Sequence, residues 1–227
     1  MISPMDLSGK TILLMGEESG IDKAIKDTIE DLGGATLCFP ICEISLIEQK
    51  IKELVNTVDK CDGVVFSIVH SDFKPLQFVK PNNVTSILED NYGLFVELIR
   101  SLKKAKGLKD GSSIVALSSI SSIRAMKAKM AFSAAKAALD AAVRCLAVEL
   151  GEKGIRVNSI QKGGVDADFV KGHIQDINAI NDGSTEKKQF LGLTKAEEIA
   201  NVTAFLLSDA APTITGTSIV IDGGYTL

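Results

Sequence analysis

The chain has 227 residues, of which 45% are hydrophobic and 24% are charged, and its formal net charge is −4 at pH 7. These values exclude global disorder, and at this length folding can bury about 70% of the unfolded surface. Lys and Arg form no run, which argues against nucleic-acid or membrane partners, and no basic segment precedes an apolar one at the start. We expect one soluble, cytoplasmic domain over residues 1–227.

The cysteines and aromatic residues exclude further classes of protein. Four cysteines are too few for a disulfide scaffold, and none forms a CxxC pair or lies beside a metal-binding histidine. Trp is absent and aromatics make up 5% of the chain, so a wide stacking surface for bases or glycans is not expected. We expect no metal site, and we expect the cysteines to be buried free thiols: Cys38, Cys42, Cys61 and Cys145.

Apolar runs and amphipathic stretches alternate along the whole chain. Continuous apolar strands separated by helices are typical of a parallel sheet covered on both faces, so we predict a doubly wound, Rossmann-like α/β fold. Ligands of such sheets bind at the carboxyl ends of the strands, where the polar stretch 167–188 is predicted to form a mobile segment. The predicted strands are 10–15, 35–41, 63–69, 113–118, 155–160 and 218–221, and the predicted helices are 21–32, 46–58, 84–102, 132–150 and 195–207.

Several motifs occur in a recognisable order: Gly16-x-x-x-Gly20-Ile21, then the run from Ile114 to Ser119, then the run from Phe132 to Leu139. Gly-Ile-Arg-Val-Asn at 154–158 and Asp-Gly-Gly at 222–224 follow. With these motifs the chain resembles the classical short-chain dehydrogenase/reductase family over almost its whole length. The resemblance implies the doubly wound fold, an oxidoreductase activity and NAD(P)H as cofactor.

The resemblance also implies a reaction centre, in which a Tyr four residues before a Lys exchanges a proton with the substrate. Ser119, Lys136 and Asn91 stand at three of the family's catalytic positions, whereas the Tyr position is Phe132, which has no proton to exchange. The remaining tyrosines, Tyr92 and Tyr225, do not replace it by position. We therefore expect the usual acid–base step to be missing.

The resemblance places three residues in the dinucleotide-binding turn: Gly16, Gly20 and Ile21. Glu17, Glu18 and Asp22 add carboxylates where a pyrophosphate would lie, although Asp22 could equally cap its own helix. A like charge at about 4 Å costs on the order of 1 kcal/mol in water and about 4 at an intermediate dielectric. We therefore expect no NAD(P) binding or weak binding.

Two further departures concern the crevice. Between Gly34 and Asp62 there is room for one strand and one helix, so we predict a sheet that is one strand–helix unit shorter than the family norm. Lys162 stands where the family has a proline near the nicotinamide, which adds a charge to the crevice.

These departures favour a protein that has lost ordinary NAD(P)-dependent activity and acts as a binding or assembly protein. The resemblance implies a homodimer or homotetramer formed through the 84–102 and 132–150 helices. Two alternatives stay open. One is a divergent NAD(P)-dependent oxidoreductase, and the other is a non-redox enzyme that uses Lys136, Lys162 and Ser119, with His70 or Asp72, on a small carbonyl or acidic ligand.

Overall fold

The computed structural model describes residues 3–71, 73–166 and 187–227. Within them lies one sheet of six parallel strands in the order β2-β1-β3-β4-β5-β6. This arrangement confirms the doubly wound α/β prediction. Each strand overlaps its predicted apolar run, but β3 ends at Phe66 rather than at 69 and β4 begins at Leu108 rather than at 113. They are β1 (Thr11–Met15), β2 (Ala35–Phe39), β3 (Cys61–Phe66), β4 (Leu108–Ser119), β5 (Arg156–Lys162) and β6 (Ser218–Ile221).

Helices cover both faces of the sheet. One apolar core joins α2, α4 and α5 to one face, and a second core joins α1 and α6 to the other. Successive residues of β3 serve the two cores in turn, with Val64 and Phe66 in the first and Val65 in the second. The helices are α1 (Gly20–Asp31), α2 (Ile44–Val55), α3 (Pro81–Leu88), α4 (Leu94–Lys104), α5 (Met130–Leu150) and α6 (Ala196–Leu207).

The sheet carries a single strand–helix unit, β2 and α2, between α1 and β3, as the short interval from Gly34 to Asp62 predicts. As a result, β2 is an edge strand. Its side chains are more exposed than those of β1, and Cys38 is exposed among them.

The predicted helix 84–102 is wrong as a single helix. A five-residue π-helical turn, Glu89–Gly93, separates α3 from α4. The side chain of Asn91 lies inside this turn, fully buried, and its Nδ2 donates hydrogen bonds to Ile87 O at 3.0 Å and His70 O at 2.7 Å. In a regular α-helix the Ile87 carbonyl would accept from the backbone amide of Asn91, but here it accepts from the Asn91 side chain. The backbone hydrogen bonds therefore shift to the wider π-helical pattern over this turn.

The expectation of buried thiols is wrong for two of the four cysteines. Cys38 is exposed on the edge strand and Cys145 is exposed on α5, whereas Cys61 is buried and Cys42 is partly buried. All four are free thiols. In the described ranges no group of three or more His, Cys, Asp or Glu side chains is placed to hold a metal ion, and no helix there is long and apolar enough to cross a membrane.

Candidate active site

The predicted lysine of the reaction centre lies at the carboxyl edge of the sheet. Lys136 is fully buried on α5, and its Nζ donates hydrogen bonds of 2.9 Å to Ile68 O, beyond β3, and to Leu117 O in β4. Burial lowers the pKa of this ammonium to about 7, with the nearby charge of Lys162 as the next cause. The amine is therefore a fixed, readily titrated group between two strand ends.

Phe132 lies one helical turn before Lys136 and is a core residue. It is 3% exposed and packs in a small apolar cluster with Ile87 and Ala135. Its ring centroid is 5.8 Å from Lys136 Nζ. The phenyl ring therefore contributes packing beside the lysine and has no proton to transfer.

The structure brings the other two predicted residues to the same edge. Ser119 ends β4, and its Oγ accepts a 3.1 Å hydrogen bond from the Ser121 amide. Asn91 is tied to the chain after β3 through His70 O, two residues beyond the carbonyl that holds Lys136. The Oδ1 atom of Asn91 is buried and has no hydrogen-bond partner in the described ranges, so it remains available as an acceptor.

Lys162 ends β5 beside Ser119, because the register of β4 and β5 pairs the Cα atoms of these two residues. The side chain is partly buried, and its ammonium makes no hydrogen bond or ion pair with any described residue. Burial, followed by the like charge of Lys129, lowers the pKa of Lys162 to about 8, and the charge of Glu17 opposes both effects. The predicted extra charge in the crevice is thus present, and it faces a second lysine.

That second lysine, Lys129, was missed by the sequence analysis. It immediately precedes α5, its Nζ lies 4.7 Å from the centroid of the Phe73 ring, and burial lowers its pKa. It precedes Lys136 by seven residues, which is about two helical turns, and this spacing places both lysines on the same side of α5. The seven-residue spacing is the signal in the sequence that points to this lysine.

The glycine turn of the predicted cofactor site is closed by Asp22. This carboxylate accepts a 2.9 Å hydrogen bond from the Ser19 amide and forms a capping box at the start of α1. It also accepts a hydrogen bond from Ser67 Oγ, which follows β3. A Cβ at Gly16 would collide with both the Asp22 and the Ser67 side chains. Asp22 is therefore buried as a helix cap, which is the second of the two roles that the sequence allowed.

A cleft of about 630 Å³ opens between this turn and the end of β2. Its volume lies within the range of about 300–1,000 Å³ that is typical of small-molecule sites. Apolar side chains from the strand ends face charged ones from the turn and α1, so the cleft fits the adenosine half of a dinucleotide, with the helix N-terminus beside it. The lining residues are Leu14, Gly16, Glu17, Glu18, Ser19, Asp22, Lys23, Lys26, Cys38, Phe39, Pro40 and Ile41.

Of the remaining candidates, one is paired with a neighbouring carboxylate and the others lie outside the described residues. His70 Nδ1 lies 2.5 Å from Asp90 Oδ2, so this imidazole is engaged with the π-helical turn. Asp72 and nearly all of the predicted mobile segment 167–188 lie outside the described residues.

Comparison with known proteins assigns the family. A family model described as "Enoyl-(Acyl carrier protein) reductase" matches residues 7–226. The chain belongs to the short-chain dehydrogenase/reductase family. Among its relatives, the enoyl-[acyl-carrier-protein] reductase [NADH] FabI of Bacillus cereus is 29% identical over 210 residues, covering 89% of this chain and 80% of the relative.

A second relative agrees with this assignment, and a solved structure shares the fold. The 1-cyclohexenylcarbonyl-CoA reductase of Streptomyces collinus is 28% identical over 224 residues, covering 98% of this chain and 75% of the relative. The structure of the FabI–NADH complex from Alistipes finegoldii superposes with a TM-score of 0.86 at 20% identity, covering 99% of this chain and 90% of that protein. At this identity the superposition shows the shared fold.

These comparisons correct the main functional hypothesis. The expected pseudoenzyme, a binding or assembly protein without oxidoreductase activity, is contradicted because the matching family model and the relatives are reductases. The alternative of a divergent NAD(P)-dependent oxidoreductase is the better supported one. The family uses a reduced nicotinamide dinucleotide, and the glycine turn and its cleft fit such a group.

Proposed function

We propose that this protein is an NAD(P)H-dependent reductase of the carbon–carbon double bond of α,β-unsaturated thioesters. The observation that carries the proposal is the buried, doubly anchored Lys136 at the carboxyl edge of β3 and β4, the same edge of the parallel sheet at which the glycine turn follows β1. The substrate class is suggested by the relatives, which reduce enoyl-(acyl carrier protein) and cyclohexenylcarbonyl-CoA according to their names.

The cofactor would occupy the cleft beside the glycine turn, and when bound it would supply a hydride. The pyrophosphate would face the amides at the start of α1, where Gly16 leaves room for the Asp22–Ser67 contact. Glu17 and Glu18 are exposed in this turn, so their charges would weaken binding of the phosphates. We therefore propose a cofactor site that is functional but of reduced affinity.

The chemistry of the double bond explains why a phenol is dispensable. Reduction of a ketone leaves an alkoxide that must receive a proton on oxygen, which is the step a family Tyr would serve. Addition of hydride to the β-carbon of an enoyl thioester instead leaves an enolate, and the new C–H bond at the α-carbon forms with a proton from solvent. Such an enolate needs a positively charged site, and Lys136 and Lys162 give the crevice that charge.

The oligomeric state remains a proposal. We propose a homodimer or homotetramer that buries the outer surfaces of α4 and α5, because Val148 on α5 is 83% exposed and lies three residues from the exposed Cys145. Light scattering of the purified chain, compared with that of Val148→Glu, measures this directly. A wild-type monomer would refute the proposed assembly.

The proposed activity is tested by following oxidation of NADH and NADPH with crotonyl-CoA, and with acetoacetyl-CoA as the ketone comparator. We expect turnover of crotonyl-CoA and none of the ketone group. Lys136→Met should lower kcat by about 10²-fold or more, since a single catalytic group of this kind contributes about 10²–10⁴-fold. The matched control is Lys127→Met, which removes an exposed lysine of the same segment. Cofactor binding without any crotonyl-CoA reduction would refute the proposed reaction.

A further inference from the structure

We propose that Asp140 is a positioning residue for the proposed reduction. Its carboxylate places a buried negative charge one helical turn from Lys136, and through Gln161 it holds the end of β4 that carries Ser119. This inference rests on the proposed function. Asp140 lies on α5 and is 4% exposed, so it acts on the crevice through its neighbours and not by contact with a ligand. It is not among the family positions that the resemblance assigned.

The Asp140 carboxylate is held between α5 and the sheet by a hydroxyl and an amide group. Its Oδ1 accepts a 2.8 Å hydrogen bond from Ser159 Oγ, and its Oδ2 accepts a 2.7 Å hydrogen bond from Gln161 Nε2. Ser159 and Gln161 are two residues apart on β5, so both side chains point to the same face of the sheet. The Ser159 hydroxyl also lies 2.8 Å from Ser218 Oγ on β6. The carboxylate is therefore fixed relative to two strands.

The Gln161 amide continues this network to the end of β4. Its nitrogen has two N–H donors, of which one is bonded to Asp140 and the other donates a 3.0 Å hydrogen bond to Ser122 Oγ. Ser122 Oγ in turn donates a 2.8 Å hydrogen bond to Ser119 O. Because a carboxylate only accepts hydrogen bonds, Asp140 obliges the Gln161 amide to present its nitrogen. Removal of the carboxylate should free this amide to rotate and release its contact with Ser122.

Asp140 and Lys136 are related by spacing and by burial. They are four residues apart on α5, which places both side chains on the same face of the helix, and Lys136 is fully buried. Neither group forms an ion pair within the described ranges, since the ammonium donates to two carbonyls and the carboxylate accepts from a hydroxyl and an amide. Buried charges are stable where an opposite charge compensates them, so each of these two groups supports the charged form of the other.

The balance of charge at Lys136 agrees with this geometry. Burial, followed by the charge of Lys162 on β5, lowers the pKa of Lys136 to about 7. The charge of Asp140 on α5, followed by that of Glu17 after β1, opposes both effects. Asp140→Asn should therefore lower the pKa of Lys136 further, so that more of the enzyme has an uncharged amine at neutral pH.

The test compares two variants that separate the charge from the hydrogen-bonded link. Asp140→Asn removes the charge and nearly keeps the shape, whereas Gln161→Met breaks the link and keeps the charge. With crotonyl-CoA and NADPH, we expect wild-type kcat/KM to fall as the pH rises through about 7, where Lys136 loses its proton. This limb should move down by about one pH unit in Asp140→Asn, as one nearby opposite charge typically produces, and stay in place in Gln161→Met. The kcat of Gln161→Met should be about tenfold lower, because a displacement of about 1 Å can cost about 10²-fold.

The matched control is Asp27→Asn, which removes an exposed carboxylate on α1 and should keep the limb and the kcat of the wild type. Asp140→Asn and Gln161→Met variants that fold and behave like Asp27→Asn would overturn the proposal. A lower kcat with an unmoved limb in Asp140→Asn would show a structural contact only, and would overturn it too. If Asp140→Asn does not fold, Asp140→Ser removes the same charge and supplies the comparison.

A second readout does not depend on catalysis. Urea unfolding from about pH 5.5 to about pH 7.5 shows where the free energy of unfolding begins to rise as Lys136 loses its proton in the folded state. This rise should begin at a lower pH in Asp140→Asn than in the wild type. The difference in pH dependence should vanish when both chains also carry Lys136→Met. A difference that persists without Lys136 would contradict the coupling of these two residues.

Failure of the positioning role can be told from failure of the proposed function. If the wild-type chain does not reduce crotonyl-CoA with either cofactor, the proposed function fails and the role of Asp140 in reduction falls with it. If the wild-type chain reduces crotonyl-CoA, and Asp140→Asn and Gln161→Met match Asp27→Asn, the proposed function stands and the role of Asp140 alone is refuted.

Discussion

Asp22 and Ser67 join the start of α1 to the end of β3: the Ser67 hydroxyl donates a hydrogen bond to the Asp22 carboxylate across 45 positions of sequence. The same carboxylate caps α1 through the amide and hydroxyl of Ser19. The acidic residue that seemed from sequence to obstruct the phosphate turn is thus one of the contacts that give the turn its shape. Gly16 is the residue that leaves space for it.

Gly16→Ala should therefore destabilise the chain and impair cofactor binding. The added Cβ would collide with Ser67 Oγ and the Asp22 carboxylate, and overpacking of this kind typically costs about 1–3 kcal/mol. Urea unfolding and an NADPH titration check the two effects. Gly151→Ala is the matched control, because a Cβ there meets no atom within 4 Å. Equal behaviour of the two variants would contradict the described turn.

Glu17→Gln should tighten binding of the reduced cofactor. The exposed Glu17 carboxylate lies in the phosphate turn, and removal of a like charge at about 4 Å is worth on the order of 1 kcal/mol in water, or about fivefold in affinity. Asp27→Asn, which removes an exposed charge further along α1, should leave the affinity unchanged. A titration by nicotinamide fluorescence measures both, and weaker binding by Glu17→Gln would show that this carboxylate does not face the phosphates.

NADPH should bind more tightly than NADH. Lys23 and Lys26 border the cleft at the end of β2, and Lys26 forms a loose ion pair of 3.9 Å with Glu30. The strand end carries Phe39, Pro40 and Ile41 there, so no carboxylate from β2 is available for a ribose 2′-hydroxyl.

The experiment compares the two dissociation constants in the wild type and in Lys23→Met/Lys26→Met. We expect the double variant to lose about tenfold in NADPH affinity, which is 1.4 kcal/mol, and to bind NADH as before. Lys60→Met, an exposed lysine outside the cleft, serves as the control. A wild-type preference for NADH would refute this assignment of the two lysines.

Phe132→Tyr should not create a faster enzyme. The Phe132 ring is 3% exposed and packs against Ile87 and Ala135, so a hydroxyl there would enter an apolar cluster. An unpartnered buried hydroxyl costs about 1–3 kcal/mol by mutational data. Thermal unfolding should show the loss, and crotonyl-CoA turnover should not rise. A substantial increase in kcat would place this ring in the reaction centre after all.

Lys136 should make stability depend on pH. Its pKa is about 7 in the folded chain and 10.5 in the unfolded reference, so between these values the unfolded state binds more protons and stability rises with pH. The free energy of unfolding rises by at most about 1.4 kcal/mol per pH unit between the two pKa values. Below the folded pKa, Lys136 adds no pH dependence. Urea unfolding from about pH 7 to about pH 9.5 should show that the free energy of unfolding rises less steeply with pH in Lys136→Met than in the wild type. Parallel curves would mean that this ammonium is not desolvated.

Much of the fold could be predicted because each buried parallel strand corresponds to a short apolar run in the sequence. The six strands and the doubly wound fold follow from local pattern, and the single β2–α2 unit follows from the short interval between Gly34 and Asp62. The break within 84–102 could not be predicted, since it depends on Asn91 reaching His70 O across a tertiary contact. Periodicity reports which face of a helix is apolar and is insensitive to one widened turn.

The placement of the candidate site residues could be predicted in part. Ser119, Lys136 and Asn91 lie at the sheet edge where the resemblance placed them. Lys129 was missed, because local pattern does not show that its charge lowers the pKa of Lys162, which lies on a different element. The predicted loss of activity, inferred from Phe132 at the family's Tyr position, is wrong. The absence of one hydroxyl does not show which charged side chains the fold brings to the same edge of the sheet.

The central claim is hydride transfer to the β-carbon of an enoyl thioester, and isotope transfer tests it most directly. The chain is incubated with crotonyl-CoA and NADPH deuterated at the nicotinamide C4, and the acyl product is analysed by mass spectrometry and NMR. The account predicts butyryl-CoA with a single deuterium on the β-carbon, and a second added hydrogen at the α-carbon that comes from solvent. Bound cofactor with no labelled butyryl-CoA would contradict the account.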